Sequence, residues 1–553
     1  MADRETVKKV AIIGSGLAGL TASYLLAHAS DCDGNEVKLE PHLFEKSHTL
    51  GMDSASISVG KKNEFRIDVP MRSFMSGYYC RLERLYKYLE IRVKPAKFSF
   101  GWYRIQSSNN SQDGNCSDQY QQSGDKQQLS VMNRSHLTYT GSRTVGMLET
   151  PTGGFSDNFI DYLSDLWLYY WRACIVAFSY FWLMLLSLWL HRSGRLRDPH
   201  HPVSKMTLRE WFQYHNFHPY FVHDIFVPLF AAVCTNSWEA MLDYPAVDVL
   251  QYMAVGLGQE SFVVSEGVQK VVEKLSSPVK NIHLDTQIQS IRLSKSPEYN
   301  MELVDVNGNV YGFHHVIFAT QGNQAMRLLQ SFLAELTNAE QQTPQQRRLI
   351  QDISQAIAML QVFKYEKSLV INHTDEKLLP DDRRNWRALN LASVDESLKP
   401  GTDTASLRMP NPHNTTMATH ILNFTHSAAA TVDDDNTLYL QTTNPCIPPD
   451  ASRVISVSWF ERATVTLASR KAIQENLFIP VVGQQRGDSD DKENRDAVEL
   501  GRCQGKSNIW FIGSYSWPGI PLLEGCVASA EKVVVDGIAR SEGVEIKIPW
   551  DSC

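Results

Sequence analysis

The sequence predicts an α/β chain in which two domains interleave, and three observations carry that reading. A short β-branched run near the N-terminus ends in a glycine-rich turn and an apolar helix. A second strand, Gly/Pro-rich loop and helix lie near the other end. The 553 residues exceed what one hydrophobic core usually holds. Composition is that of a globular protein, 43% hydrophobic and 21% charged, with a formal net charge of -8. That balance argues against a nucleic-acid partner, which needs a basic face. Nine cysteines without a C-x-x-C pair argue against a disulfide framework or a zinc site, so no metal is expected and an intracellular, reducing compartment is the simpler reading. Residues 1–9 are polar and contain no apolar leader, so no signal peptide is expected.

Taken in order, 10–14 (VAIIG) has the pattern of a fully buried parallel strand. Residues 17–28 read as a helix, and 37–44 as a second strand, with Pro41 unfavourable inside it. Gly14-Ser15-Gly16-Leu17-Ala18-Gly19 falls between strand and helix as G-x-G-x-x-G. The first glycine permits the tight turn, the second admits a pyrophosphate to the backbone, and the third lets helix and strand pack closely. The helix N-terminus offers free N–H groups and a partial positive charge to the phosphates. Glu45 ends the second strand, 26 residues beyond Gly19, where it can accept hydrogen bonds from ribose hydroxyls. These features together predict a Rossmann-type dinucleotide-binding domain.

Residues 107–130 and 484–496 are rich in polar residues and are expected to be surface loops or disordered insertions. The run 166–190, LWLYYWRACIVAFSYFWLMLLSLWL, predicts a long apolar helix, and 173–190 is free of charge over the minimum length for a span. Residues 261–275 suggest a loop and helix. Strands follow at 283–293 and 315–320, with a polar turn at Asn307-Gly308-Asn309. Near the end, 508–513 (NIWFIG) is a strand, 514–524 a loop, and 525–540 a helix. The expected division places the nucleotide-binding domain at 1–103, 261–330 and 501–545. An α+β substrate domain then occupies 136–260 and 331–483, with polar segments at 104–135 and 484–500.

The C-terminal stretch GSYSWPGIPLLEGCVASAEKVV resembles the terminal flavin motif of flavin amine oxidases, protoporphyrinogen oxidases and carotenoid desaturases. The resemblance implies FAD, rather than NAD, held by both ends of the chain in an amine-oxidase-like two-domain fold. It also implies that Gly513 lies near the ribityl-phosphate chain and that Leu523, Glu524 and Gly525 lie beside the flavin ring. Asp285-Thr286-Gln287-Ile288 matches the segment that holds the adenine in that family. Segments at 226–245, 373–375 and 379–380, with Trp386, resemble a group of flavin proteins predicted from bacterial genomes and associated with lipid modification.

The sequence departs from the family in two places. Arginines that normally follow the acidic residue are replaced by Lys46, Ser47, His48 and Thr49 before Gly51, so backbone groups, Lys46 or Arg72 are left to replace them. Leu522 stands where amine oxidases tend to place an aromatic residue, and an aliphatic wall suits an apolar substrate better than an ammonium. No general base stands out, and flavin can take a hydride with positioning alone. Lys364 and Lys367 read as solvated, and His373 with Asp375 as a polar turn.

The sequence therefore leaves three functions open: oxidation of an apolar or lipid-like molecule, amine oxidation with peroxide release, and non-catalytic FAD binding. A single span at 166–190 would separate the two halves of the flavin site. The apolar run is thus either a monotopic anchor on a membrane surface or a helix buried in the substrate domain.

Overall fold

The computed structural model describes residues 6–29, 37–52, 54–60, 65–96, 98–108, 128–131, 136–139, 159–338, 342–394, 414–423, 437–481 and 498–551. A parallel five-stranded sheet runs in the order Asn281–His283, Val37–Phe44, Thr6–Ile13, His315–Phe318, Ile509–Phe511. The central strand is buried at Val10, Ala11 and Ile12, as expected of a strand covered on both faces. Pro41 is tolerated because Asn281–His283 reaches only His42, Leu43 and Phe44. The preceding part of that strand has a neighbour on one side alone.

The helix Leu17–Ala29 and the terminal helix Leu523–Lys532 pack against each other. The terminal helix begins two residues before the expected 525 and continues as a π-helical stretch, Val533–Ala539. The predicted strand 283–293 is two strands. Asn281–His283 joins the parallel sheet, and Ile288–Leu293 joins an antiparallel sheet with Met301–Asp305 and Val310–Phe313. They are separated by Asp285, whose φ of 50° breaks the extended backbone. The turn at 307–309 forms as expected, with the Asp305 carboxylate accepting from the N–H groups of Asn307 and Asn309. The expected loop at 261 is a strand, Ser261–Val264, paired with Ser73–Met75 and Val93–Pro95.

The second layer is an eight-stranded, mostly antiparallel sheet. It contains Val454–Thr464, Lys364–His373, Leu440–Thr443, Met417–Ile421, Leu389–Val394 and Phe100–Ser108 in that order. Phe100–Ser108 also pairs with Gln128–Val131 and Leu137–Tyr139. The polar segment 104–135 is strand at both described ends, and its remainder, like 484–496, lies outside the described residues. Helices Gly322–Thr337 and Pro344–Leu360 bury Phe332, Leu349 and Ile353 in the core of the parallel-sheet domain. Residues of 331–360, expected in the substrate domain, thus pack in this core, as do Phe363, Ile473 and Phe478.

The long helix spans Phe159–Arg192. Tyr169, Ala173, Val176, Leu183 and Leu190 are buried at spacings of three, four and seven, one stripe of a helix surface. Leu183 and Leu190 join a core with Phe221, Phe226 and Trp211.

Candidate functional site

The first strand leaves the sheet at Gly14, whose φ of +103° few L-residues adopt. A Cβ on Gly19 would lie 2.0 Å from the Gly14 carbonyl oxygen, so only glycine lets the helix begin this close to the strand. At Gly16 a Cβ would meet nothing within 4 Å. The space in front of it belongs to a cavity of about 470 Å³ whose wall includes Gly16, Leu17, Ala18, Gly51 and Met52. An open backbone approach at a helix N-terminus is what a pyrophosphate requires, so these residues fit a dinucleotide.

Glu45 is buried and largely engaged. One carboxylate oxygen accepts from the Ser15 N–H at 3.2 Å and from the Ser15 hydroxyl. The other accepts from the Ser47 N–H at 3.0 Å. The Ser15 hydroxyl oxygen in turn accepts from the Gly51 N–H at 2.6 Å. A carboxylate offers about four acceptor positions, so one remains for a ribose. Glu45, expected to accept from ribose hydroxyls, also braces the glycine loop against residues 47–51. Lys46 is exposed and does not line the cavity. Ile288 is buried behind a turn in which Thr286 N–H donates to the Glu45 carbonyl at 2.8 Å.

At the other end of the chain, Gly513 has φ +136°, and its N–H donates to the Ser529 hydroxyl at 3.0 Å. Gly513, Ser514, Tyr515, Leu522, Leu523 and Cys526 line the same cavity. Glu524 and Gly525 do not. The Glu524 carboxylate turns away and accepts from the N–H groups of Arg81 at 3.0 Å and Leu82 at 3.1 Å, at the start of helix Cys80–Tyr88. Burial pushes its carboxyl up to about 7, against the opposing pull of those N–H groups and the Arg81 charge. Gly525 is needed for packing, since a Cβ there would lie 3.0 Å from the Trp517 Cβ. Both residues, expected beside a flavin ring, thus anchor the terminal helix.

The facing wall comes from the eight-stranded sheet, through Leu389, His420, Gln441, Thr443, Phe460 and Arg462. Arg72 and Glu461 also reach it. Burial holds the His420 imidazole down at about 4, so it is neutral at pH 7, and its Nδ1 has no hydrogen-bond partner. The buried Tyr515 hydroxyl is likewise without one. Leu522 supplies the aliphatic surface expected, but Phe460 and Tyr515 add aromatic rings to the same cavity. Apart from Arg72, none of these sheet residues stands out in the sequence. They come from four strands, Leu389–Val394, Met417–Ile421, Leu440–Thr443 and Val454–Thr464, which no local spacing in the sequence links.

Lys364 and Lys367 are exposed, as read. His373 and Asp375 form the expected turn, although a buried one: Asp375 N–H donates to His373 Nδ1 at 3.1 Å, and His373 Nε2 bonds Thr442 at 2.8 Å.

Residues 12–89, which include the whole glycine loop, Glu45 and Gly51, match a family model described as an NAD(P)-binding Rossmann-like domain. No curated protein matches the chain in sequence. Among solved structures, the chain is similar to a double mutant from a redesign of cofactor binding in putrescine oxidase (12% identity, TM-score 0.48, 97% of this chain and 100% of that one). It is also similar to cyclohexylamine oxidase from Brevibacterium oxydans IH-35A (10%, 0.49, 97% and 99%). A third similar structure is Rab GDI from Plasmodium falciparum (10%, 0.41, 99% and 100%).

Proposed function

We propose that the chain is an FAD-dependent oxidoreductase that removes hydride from an apolar substrate at a membrane surface. The observation that carries this reading is the convergence of the N-terminal glycine loop and the C-terminal motif on one cavity, closed on its far side by the second sheet. When bound, FAD supplies the hydride acceptor. The chain's own part is positional. Gly16, Leu17 and Ala18 present backbone N–H groups at a helix start to the phosphates. The start of the terminal helix, at Leu522 and Leu523, faces the same space and favours negative charge there. Leu389, Phe460 and Leu522 keep water from a substrate held between them.

The test is the visible spectrum of the purified protein, followed by an anaerobic substrate panel. Yellow protein bleached by an apolar alcohol, acid or alkene is the expected result. A folded, colourless protein that takes up no FAD contradicts it. Amine oxidation is a second reading, favoured by the Phe460 and Tyr515 rings, which could face an ammonium. Peroxide release with octylamine, without turnover of neutral or acidic chains, would select it.

A further inference from the structure

Resting on the reading of this cavity as a flavin enzyme's chamber, a further question is what it holds besides the cofactor. Three charged side chains reach its wall: Arg72, Arg462 and Glu461. Among the described residues the Arg72 guanidinium donates one hydrogen bond, to the Met52 carbonyl at 3.1 Å, and its buried Nε has no partner. The Arg462 guanidinium makes no hydrogen bond among the described residues, and no described carboxylate forms an ion pair with either arginine. Glu461 is engaged elsewhere, accepting from the Asn323 amide at 2.5 Å. Asp68, the acid whose charge Arg72 feels, accepts from the Val268 N–H. Burial, with the Arg462 charge next, pulls the Arg72 guanidinium down from its usual range.

The arrangement is held rigidly. Gln441 accepts from the Met71 N–H at 2.8 Å and donates to the Asp68 carbonyl at 3.0 Å, clamping the segment that carries Arg72. Arg462 is on a strand paired with Glu366 in register. Two half-buried cations on one cavity wall are unfavourable unless an anion joins them, and guanidinium groups match the oxygens of a carboxylate or phosphate. Beside polar groups such as Gln441 and Thr443, the wall carries an apolar part made by Phe98, Phe100, Leu389 and Phe460. We propose that Arg72 and Arg462 form the seat for the carboxylate or phosphate of an otherwise apolar substrate. A cofactor phosphate has the same chemistry, and the experiment separates the two sources.

Octanoate, octyl phosphate, octanol and octylamine are titrated into FAD-loaded and FAD-free protein by calorimetry, with FAD content read from visible absorbance. Octanoate or octyl phosphate should bind the loaded protein about ten- to hundredfold more tightly than octanol, the scale of hydrogen bonds between charged groups. Octylamine should bind no better than octanol. Arg462→Gln should erase the preference and keep the FAD, and Arg462→Lys should retain part of it. Loss of FAD in Arg72→Gln and Arg462→Gln with the octanoate preference intact would assign the arginines to the cofactor and overturn the proposal. So would the absence of any anion preference in the wild-type protein, a result that needs no variant. A protein without FAD defeats the flavin reading alone, because the same ligand ratio in FAD-free protein still decides the anion seat.

Discussion

Gly16 and Gly19 stand three residues apart in one turn, and replacing them should fail for different reasons. A side chain at Gly16 enters the cavity and touches no protein atom. Gly16→Val should therefore fold normally and purify without flavin, while Lys364→Ala, at an exposed site, keeps it. A methyl group at Gly19 collides with the Gly14 carbonyl. Gly19→Ala should lose about 3 kcal/mol or more of stability, read as an earlier denaturant midpoint. Full flavin in Gly16→Val would show that the phosphates bind elsewhere. Glu45→Ala removes both the remaining ribose acceptor and the brace on Ser15. FAD binding should weaken by roughly 1.5–3 kcal/mol, the scale of a hydrogen bond to a charged group, and equal affinity in a titration would assign the ribose to another residue. The glycine spacing and Glu45 were legible in the sequence because each role is set by backbone geometry within one βαβ unit. Arg462, His420 and Gln441 were not, since they meet only through the pairing of distant strands.

Among the elements, the terminal helix is joined to Cys80–Tyr88 by two carboxylates, Glu524 half-buried and Glu531 buried. Glu524 caps that helix, and Glu531 accepts from the Arg81 guanidinium and from the Trp550 ring N–H at 2.6 Å. The motif at 513–525 identified the helix but not this partner, which lies more than 440 residues away in sequence. The linkage predicts a pH effect. Burial raises the folded-state ionisation of Glu524 to about 7, above its unfolded value, so the folded state holds the proton longer. The unfolded state loses it first, and stability declines as pH rises between the two values. Above that window the charged carboxylate costs the fold on the order of 1–3 kcal/mol. Glu524→Gln should thus flatten the stability profile from pH 5 to 8, with a gain over wild type at the alkaline end. Parallel profiles in urea titrations would show that Glu524 is ionised at no cost. The strand at 283–293 was misread for a related reason. Its apolar pattern runs on through Asp285, while the backbone changes sheets there.

At the scale of the whole molecule, both ends of the chain enter one parallel sheet, with Thr6–Ile13 and Ile509–Phe511 on either side of His315–Phe318. A helix between them cannot cross a bilayer alone and leave that sheet intact. Apolar composition could not distinguish core from lipid for 166–190, because both faces of the helix are apolar. In the structure the two faces differ in exposure. Val176, Leu183 and Leu190 are buried, whereas Trp167, Trp171, Phe178, Phe181, Leu185 and Trp189 are exposed. Beyond the helix, Arg195 lies 4.1 Å over the Trp189 ring, the pairing of aromatic and cation favoured at a headgroup layer. The helix packs on Ala246–Gly256, whose Tyr252 lines the cavity, so the exposed apolar face and the chamber share one wall of helices. Docked parallel to a membrane, each exposed apolar side chain that leaves water contributes about 1.5–3 kcal/mol. The protein should therefore sediment with membranes and be released by detergent. Phe178→Glu with Phe181→Glu should release it and leave the flavin spectrum unchanged. Val176→Glu with Leu183→Glu should instead lose the flavin and the fold, because a buried carboxylate without a partner is costly. If both pairs unfold the protein, the outer face is packed against protein rather than lipid. If neither pair alters sedimentation, the anchor lies elsewhere. Protease protection of one terminus and not the other would contradict the shared sheet itself.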